Sequence, residues 1–217
     1  MNAFEFFLKK LSIEINQKLP GFAAQKLMAP LGRKPTIEYL NQNISPKKSA
    51  VLILIYPNEK TLSQKTVLIE RAESDGRTHS GQIALPGGKF DEVLDKNLTE
   101  TALRETEEEI GISRGLVSVI GALTPLYIPV SNYMVHPFVG ISEDGHKFIA
   151  QDAEVKNIIE IELNDLFAEK NKNKAVKYIK VKNRDMEVPC YDVCGKMIWG
   201  ATAMILSELE EIVKRAK

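Results

Sequence analysis

A mixed α/β sandwich, with a β-sheet covered on both faces by helices, is the fold the sequence predicts, and three observations predict it. An amphipathic helical pattern opens the chain, β-rich runs fill its middle, and a second amphipathic helix closes it. At 217 residues the chain suits one large domain with a substantial core. A composition of 44% hydrophobic and 27% charged residues is that of an ordinary globular protein. The 29 Lys+Arg cancel the 29 Asp+Glu, so nothing draws the whole molecule to nucleic acid or to an anionic membrane. Any phosphate recognition must be local.

Phe4, Phe7, Leu8, Leu11 and Ile15 recur at the spacing of one helical face, which ends before Pro20-Gly21. A second short helical piece, 21–28, is closed by Ala29-Pro30. Residues 1–40 are therefore expected as a helical extension packed on the domain, and residues 41–217 as the single domain itself. The run 50–56 is apolar on both faces and belongs centrally in a sheet; 66–71 is the next strand. Further strands are expected at 116–123, 135–141, 158–161 and 175–181, with the Lys/Asn-rich stretch 168–177 as a solvated loop. The closing helix, 200–217, carries Ala203, Leu206, Leu209, Ile212 and Val213 on one side and should cover the sheet. Cys190 and Cys194, spaced C-x3-C without a nearby His, read as buried free thiols. No stretch approaches the ~18 apolar residues of a membrane span. A cytoplasmic protein without membrane or nucleic-acid partners is expected.

The informative stretch is 85–112, LPGGKFDEVLDKNLTETALRETEEEIGI. Pro86-Gly87-Gly88 breaks a preceding strand, Asp95 or Asn97 can cap a helix, and Gly111 can end it. At about 100° per residue, Glu105, Glu108 and Glu109 share one helical face. Arg104 stands beside Glu100 and Glu108, at i−4 and i+4. Like charges so crowded oppose helix formation, and a cation would neutralise them. An all-oxygen ligand set favours Mg²⁺ or Mn²⁺ over zinc. Taken alone, Glu107-Glu108-Glu109 reads better as an exposed acidic helix.

The spacing reverses that preference. Residues 104–112, RETEEEIGI, resemble the second half of the Nudix box, R-E-U-x-E-E-x-G-U with U a bulky apolar residue, and Thr106 is the departure. The box would occupy about residues 87–112. Its first half, G-x5-E-x7-R, is two residues shorter than the interval from Gly88 to Arg104, and Asp91, Glu92 and Asp95 are the candidates for its acid. The resemblance implies a Nudix-type α/β/α sandwich and a metal-dependent enzyme, using Mg²⁺ or Mn²⁺, that cleaves the diphosphate linkage of a nucleoside diphosphate derivative. It assigns metal ligation to Glu105, Glu108 and Glu109 with the Gly87 carbonyl, and it makes Arg104 the residue that orients a box carboxylate. The general base comes from the box, where Glu108 is the candidate, or from a distant loop, where Glu154 is.

Upstream, Arg71-Ala72, Arg77, His79-Ser80-Gly81-Gln82 and Leu85-Pro86-Gly87-Gly88 look like the signature of one branch, the coenzyme A pyrophosphatases. One extra residue precedes Arg77, Leu85 replaces an aromatic, and Ile69 stands where a Thr is usual. Segments 26–30, 131–138 and 198–206 are also similar to that branch. The resemblance implies substrate contacts from Arg71, Arg77, His79 and Gln82, with coenzyme A or an acyl-CoA cleaved to 3′,5′-ADP and (acyl-)4′-phosphopantetheine. ADP-ribose, a nucleotide sugar or a dinucleotide is the alternative substrate class, and a non-catalytic nucleotide-binding module is the alternative outside the enzymes. The expected partner is a small-molecule diphosphate, bound by a monomer or a homodimer.

Overall fold

The computed structural model describes residues 2–42, 44–72, 81–179, 184–193 and 195–217. The chain opens with helix α1 (Ala3–Glu14), whose Asn2 cap accepts from the Glu5 amide at 2.9 Å while the Glu5 carboxylate accepts from the Asn2 amide, also at 2.9 Å. This reciprocal cap satisfies two amide donors at the helix start. Phe4, Phe7, Leu11 and Ile15 are all buried, as the periodicity predicts. The short α2 (Phe22–Gln25) runs into a 3₁₀ turn, and α3 (Thr36–Leu40) comes next, where no element was expected.

The main sheet is mixed. Its strands are β1 (Lys47–Pro57), β2 (Gln64–Arg71), β3 (Ile83–Ala84), β4 (Gly87–Lys89), β5 (Ser118–Ala122), β6 (Leu126–Ile128), β7 (Tyr133–Ile141) and β8 (Val155–Glu162). Along the order β3-β2-β1-β7-β5, β1 and β7 run parallel and the other pairs antiparallel; β4 pairs with β1, β6 with β7 and β8 with β2. β1 is the axis. Its Ala50, Leu52 and Leu54 join one buried cluster, with Ala102 and Ile110 of helix α4 (Leu98–Ile110), whereas Ile53 and Ile55 join the cluster of α1 and the closing helix α6 (Gly200–Ala216). Period-two alternation thus feeds two cores from one strand, which is why its sequence is apolar from Ala50 to Tyr56. Ala203, Leu206, Leu209, Ile212 and Val213 of α6 are all buried, so α6 covers the sheet as predicted.

Two expectations need correction. The mixed sheet is joined by a second, three-stranded sheet of order β11-β10-β9, formed by β9 (Lys172–Ile179), β10 (Arg184–Val193) and β11 (Lys196–Trp199). The stretch 168–177, expected as a loop, therefore runs from a 3₁₀ turn (Glu169–Asn171) into an edge strand. An edge strand pairs on one side only and tolerates lysines, so its charge pattern imitates a loop. Tyr191, Val193 and Ile198 carry this sheet into the core shared with α1 and α6. A short α5 (Leu163–Leu166) precedes it. Cys190 is buried, as expected, while Cys194 lies outside the described residues. Among the described residues no helix is long and apolar enough to cross a membrane.

Candidate active site

The site is built where β4, α4 and the end of β2 meet. Helix α4 starts at Asn97, whose side chain accepts from the Glu100 amide at 3.0 Å, and ends at Gly111 with φ 75°, the left-handed closure that glycine adopts without steric cost. One face of α4 is anchored on β1 through Ala102 and Ile110, which turns its acidic edge toward the glycine loop. Gly87 can only be glycine, and a side chain at Gly88 would displace the Glu105 carboxylate. At Gly87, φ 145°, a Cβ would stand 2.3 Å from the Ala50 carbonyl oxygen, and at Gly88 it would stand 2.2 Å from Glu105 Oε2. The Glu105 carboxylate lies directly against Gly88.

Glu109 is the most buried member of the cluster, at 2% exposure. Its Oε2 accepts from the Gly87 amide at 2.8 Å, and Arg71 Nη1 stands 3.6 Å from Oε1. That ion pair is too long for a hydrogen bond, and among the described residues Oε1 is buried with no hydrogen-bond donor. Burial pushes the Glu109 carboxyl up to about 8, against the Gly87 amide and Arg71, with the Glu105 and Glu154 carboxylates adding to the rise. Glu105 is likewise raised, first by burial, then by Glu108 and Glu154, against its pairing with Arg104. Glu154, distant in sequence, is thus near enough for its charge to act on both carboxyls. Its segment is tied in by backbone: the Gln151 amide donates to the Glu109 carbonyl at 3.1 Å, and the Ala72 amide to the Glu154 carbonyl at 2.8 Å.

Arg104 organises the other side. Its Nε and Nη2 grip both oxygens of Asp95 at 2.7 and 2.9 Å, Nη2 also stands 2.9 Å from Glu105, and Nη1 3.0 Å from Glu108. Asp95 accepts further bonds from the Asp91 amide and Thr101 Oγ1. The pairing with Arg104 holds Asp95 down at about 2. Of the three acids the sequence left open, Asp95 is the one that pairs with Arg104. Asp91 instead caps its own turn, accepting from the Val93 and Leu94 amides, and Glu92 is exposed. That turn accommodates the two extra residues. Sequence spacing missed the contribution of Thr101, whose only advance signal was a position six residues after Asp95.

Of the expected residues, Glu105, Glu108, Glu109, Arg104, Glu154 and Arg71 come together. Gly87 meets Glu109 through its amide, and the Gln82 carbonyl accepts from the Arg71 amide at 3.1 Å. Arg77 and His79 lie outside the described residues. The donor set is all oxygen, and the unpartnered Glu109 Oε1 suits a hard divalent cation. As they stand, Glu105 and Glu108 contact Arg104, and among the described residues no three His, Cys, Asp or Glu side chains form a ready ligand set.

A profile of the NUDIX domain matches residues 46–181. A protein of Photorhabdus laumondii named Uncharacterized Nudix hydrolase NudL is 35% identical over 170 residues, covering 77% of this chain and 86% of its own. One of the same name from Yersinia pestis is 35% identical over 167 residues, covering 77% and 80%. The crystal structure of RenU, a Nudix hydrolase from M. smegmatis, superposes with a TM-score of 0.53 at 13% identity, over 78% of this chain and 86% of that one, a likeness of fold.

Proposed function

The chain belongs to the Nudix family of pyrophosphohydrolases, and from that premise we propose that it cleaves the diphosphate of coenzyme A or an acyl-CoA, giving 3′,5′-ADP and (acyl-)4′-phosphopantetheine. Nudix hydrolases act on nucleoside diphosphate derivatives and generally need a divalent metal ion. We take that ion to be Mg²⁺ or Mn²⁺, held by Glu105, Glu108 and Glu109 with the Gly87 carbonyl, because these donors are all oxygen. Such an ion supplies positive charge against the diphosphate oxygens and lowers the pKa of water.

The remaining chemistry belongs to the residues themselves. Arg104, fixed by Asp95, orients the carboxylates of Glu105 and Glu108. Glu105 and Glu108, which both contact Arg104, would have to turn from it in order to hold such an ion. A carboxylate on the open side of the cluster, Glu154 or Glu108, takes the proton of the attacking water. Arg71, Arg77, His79 and Gln82 bind the substrate's anionic groups.

The observation that carries the coenzyme A reading is Arg71, a permanent cation standing 3.6 Å from Glu109 beside the glycine loop, within a segment that resembles the coenzyme A pyrophosphatase signature. Coenzyme A carries a 3′-phosphate that ADP-ribose lacks, and an arginine is the natural group to read it. The test is a panel of coenzyme A, dephospho-CoA, ADP-ribose, a nucleotide sugar and a dinucleotide with Mg²⁺ or Mn²⁺, with products identified by mass. Coenzyme A should be cleaved fastest. Arg71→Ala or Arg77→Ala should lower kcat/KM for coenzyme A about tenfold and affect dephospho-CoA far less. Equal rates on coenzyme A and dephospho-CoA, with ADP-ribose faster than both, would defeat the coenzyme A reading and leave the family assignment standing.

A further inference from the structure

Glu70 and Arg71 are consecutive on β2, yet the pairing with β8 slips between them: Glu70 is opposite Asn157 and Arg71 opposite Val155. The extra residue is Lys156, on β8, and a bulge of this kind bends the strand that carries it and re-aims the residues beside it. Past the slip, the Arg71 amide bonds the Gln82 carbonyl at 3.1 Å and the Ala72 amide bonds the Glu154 carbonyl at 2.8 Å. One short piece of backbone therefore ties Arg71, which stands 3.6 Å from Glu109, to Gln82 and to the segment of Glu154.

Glu70 reaches the other way. Its carboxylate, 8% exposed, accepts from Lys196 Nζ at 2.7 Å and from Asn157 Nδ2 at 2.9 Å, and Lys156 Nζ stands 3.4 Å away. Lys196 lies on β11, in the second sheet and beyond the 46–181 segment that matches the NUDIX domain. A buried carboxylate is costly without compensation, and this one is compensated from both sheets at once. It takes no part in the acidic cluster on α4.

We propose that Glu70 is a positioning residue: held by Lys196, Asn157 and Lys156, it fixes the bulge that presents Arg71 and Glu154 to Glu109, and so couples the C-terminal sheet to the active site. Its functional half rests on the reading of Arg71 as part of that site. Lys196 is the component of the clamp that the family-matching segment does not contain.

The test uses the full chain. Hydrogen exchange by NMR reads the Arg71 and Ala72 amides in wild type, Glu70→Gln, Lys196→Ala and Lys196→Arg, with the Ile53 amide as a core control. Protection of Arg71 and Ala72 should fall about tenfold in Glu70→Gln and Lys196→Ala, return in Lys196→Arg, and leave Ile53 unchanged. Hydrolysis of coenzyme A and of ADP-ribose with Mg²⁺ reads the consequence. Each of the two variants should lose about tenfold in kcat/KM for coenzyme A, and Glu70→Gln added to Arg71→Ala should cost clearly less than tenfold, since only the placing of Glu154 is left for it to disturb. Unchanged protection of Arg71 and Ala72, or losses that simply add, would overturn the proposal. An Arg71→Ala protein as active as wild type would instead overturn the reading of the site, and the exchange rates alone would then decide whether the clamp exists.

Discussion

Glu109 holds one carboxylate oxygen on the Gly87 amide and buries the other with no hydrogen-bond donor among the described residues, a costly arrangement for a charged group. Its carboxyl is raised to about 8, so the folded protein prefers it protonated, and the stability this contributes is full below about 4.5 and lost as pH rises through 8. In chelated protein, Glu109→Gln should therefore gain on wild type between pH 4.5 and 8, by at least about 2 °C in Tm. A Tm difference that stays constant over that range would contradict the burial argument. Asp95 carries the opposite sign. Arg104 holds it down at about 2, so its contribution is present above the ordinary carboxylate range and lost as pH falls toward 2. Asp95→Ala strands a buried guanidinium and should cost about 3 kcal/mol in urea unfolding at pH 7, whereas the exposed Glu92→Ala should cost under about 0.5. The sequence placed Arg104, Glu105, Glu108 and Glu109 on one face because helical period alone decides it. It left three acids open for Arg104 because the turn that takes up the two extra residues depends on hydrogen bonds of Asp91, which no periodicity records.

The elements that sequence made legible are those that bury a regular face. α1, β1, α4 and α6 each repeat a pattern of side chains that geometry alone turns inward. The second sheet was missed in large part because its strands, though consecutive in the chain, carry no unbroken alternation: Pro189 interrupts the strand-like run of β10, and the lysines of β9 read as solvent-facing loop. The bulge at Glu70 was hidden for a related reason, since it exists only in the register between β2 and β8. α1, expected as a packed extension, shares one core with α6, and Leu11 is fully buried there. Leu11→Ala should lower the unfolding free energy by about 2–5 kcal/mol in a denaturant titration. A loss below about 1 kcal/mol would mean that α1 packs too loosely to support α6.

At the scale of the whole molecule, zero formal net charge leaves the recognition of a polyanionic substrate to one acidic cluster and the few cations beside it. A divalent ion that binds the folded site and not the unfolded chain stabilises by RT ln(1 + [L]/Kd), about 2.7 kcal/mol at a hundredfold excess over Kd. Mg²⁺ or Mn²⁺ should accordingly raise the Tm of wild type, and the gain should shrink in Glu105→Gln and Glu109→Gln. An equal gain in all three proteins would place the ion elsewhere.

The site is tested most directly by the rate of diphosphate cleavage at saturating Mg²⁺, comparing wild type with Glu109→Gln at a temperature where both are folded. Removing that carboxylate takes away a charge that ligation requires and the fold does not. Turnover should fall by about a hundredfold or more while the variant keeps a cooperative unfolding transition. A Glu109→Gln protein that cleaves at nearly the wild-type rate would contradict the assignment of the acidic edge of α4 as the catalytic metal site.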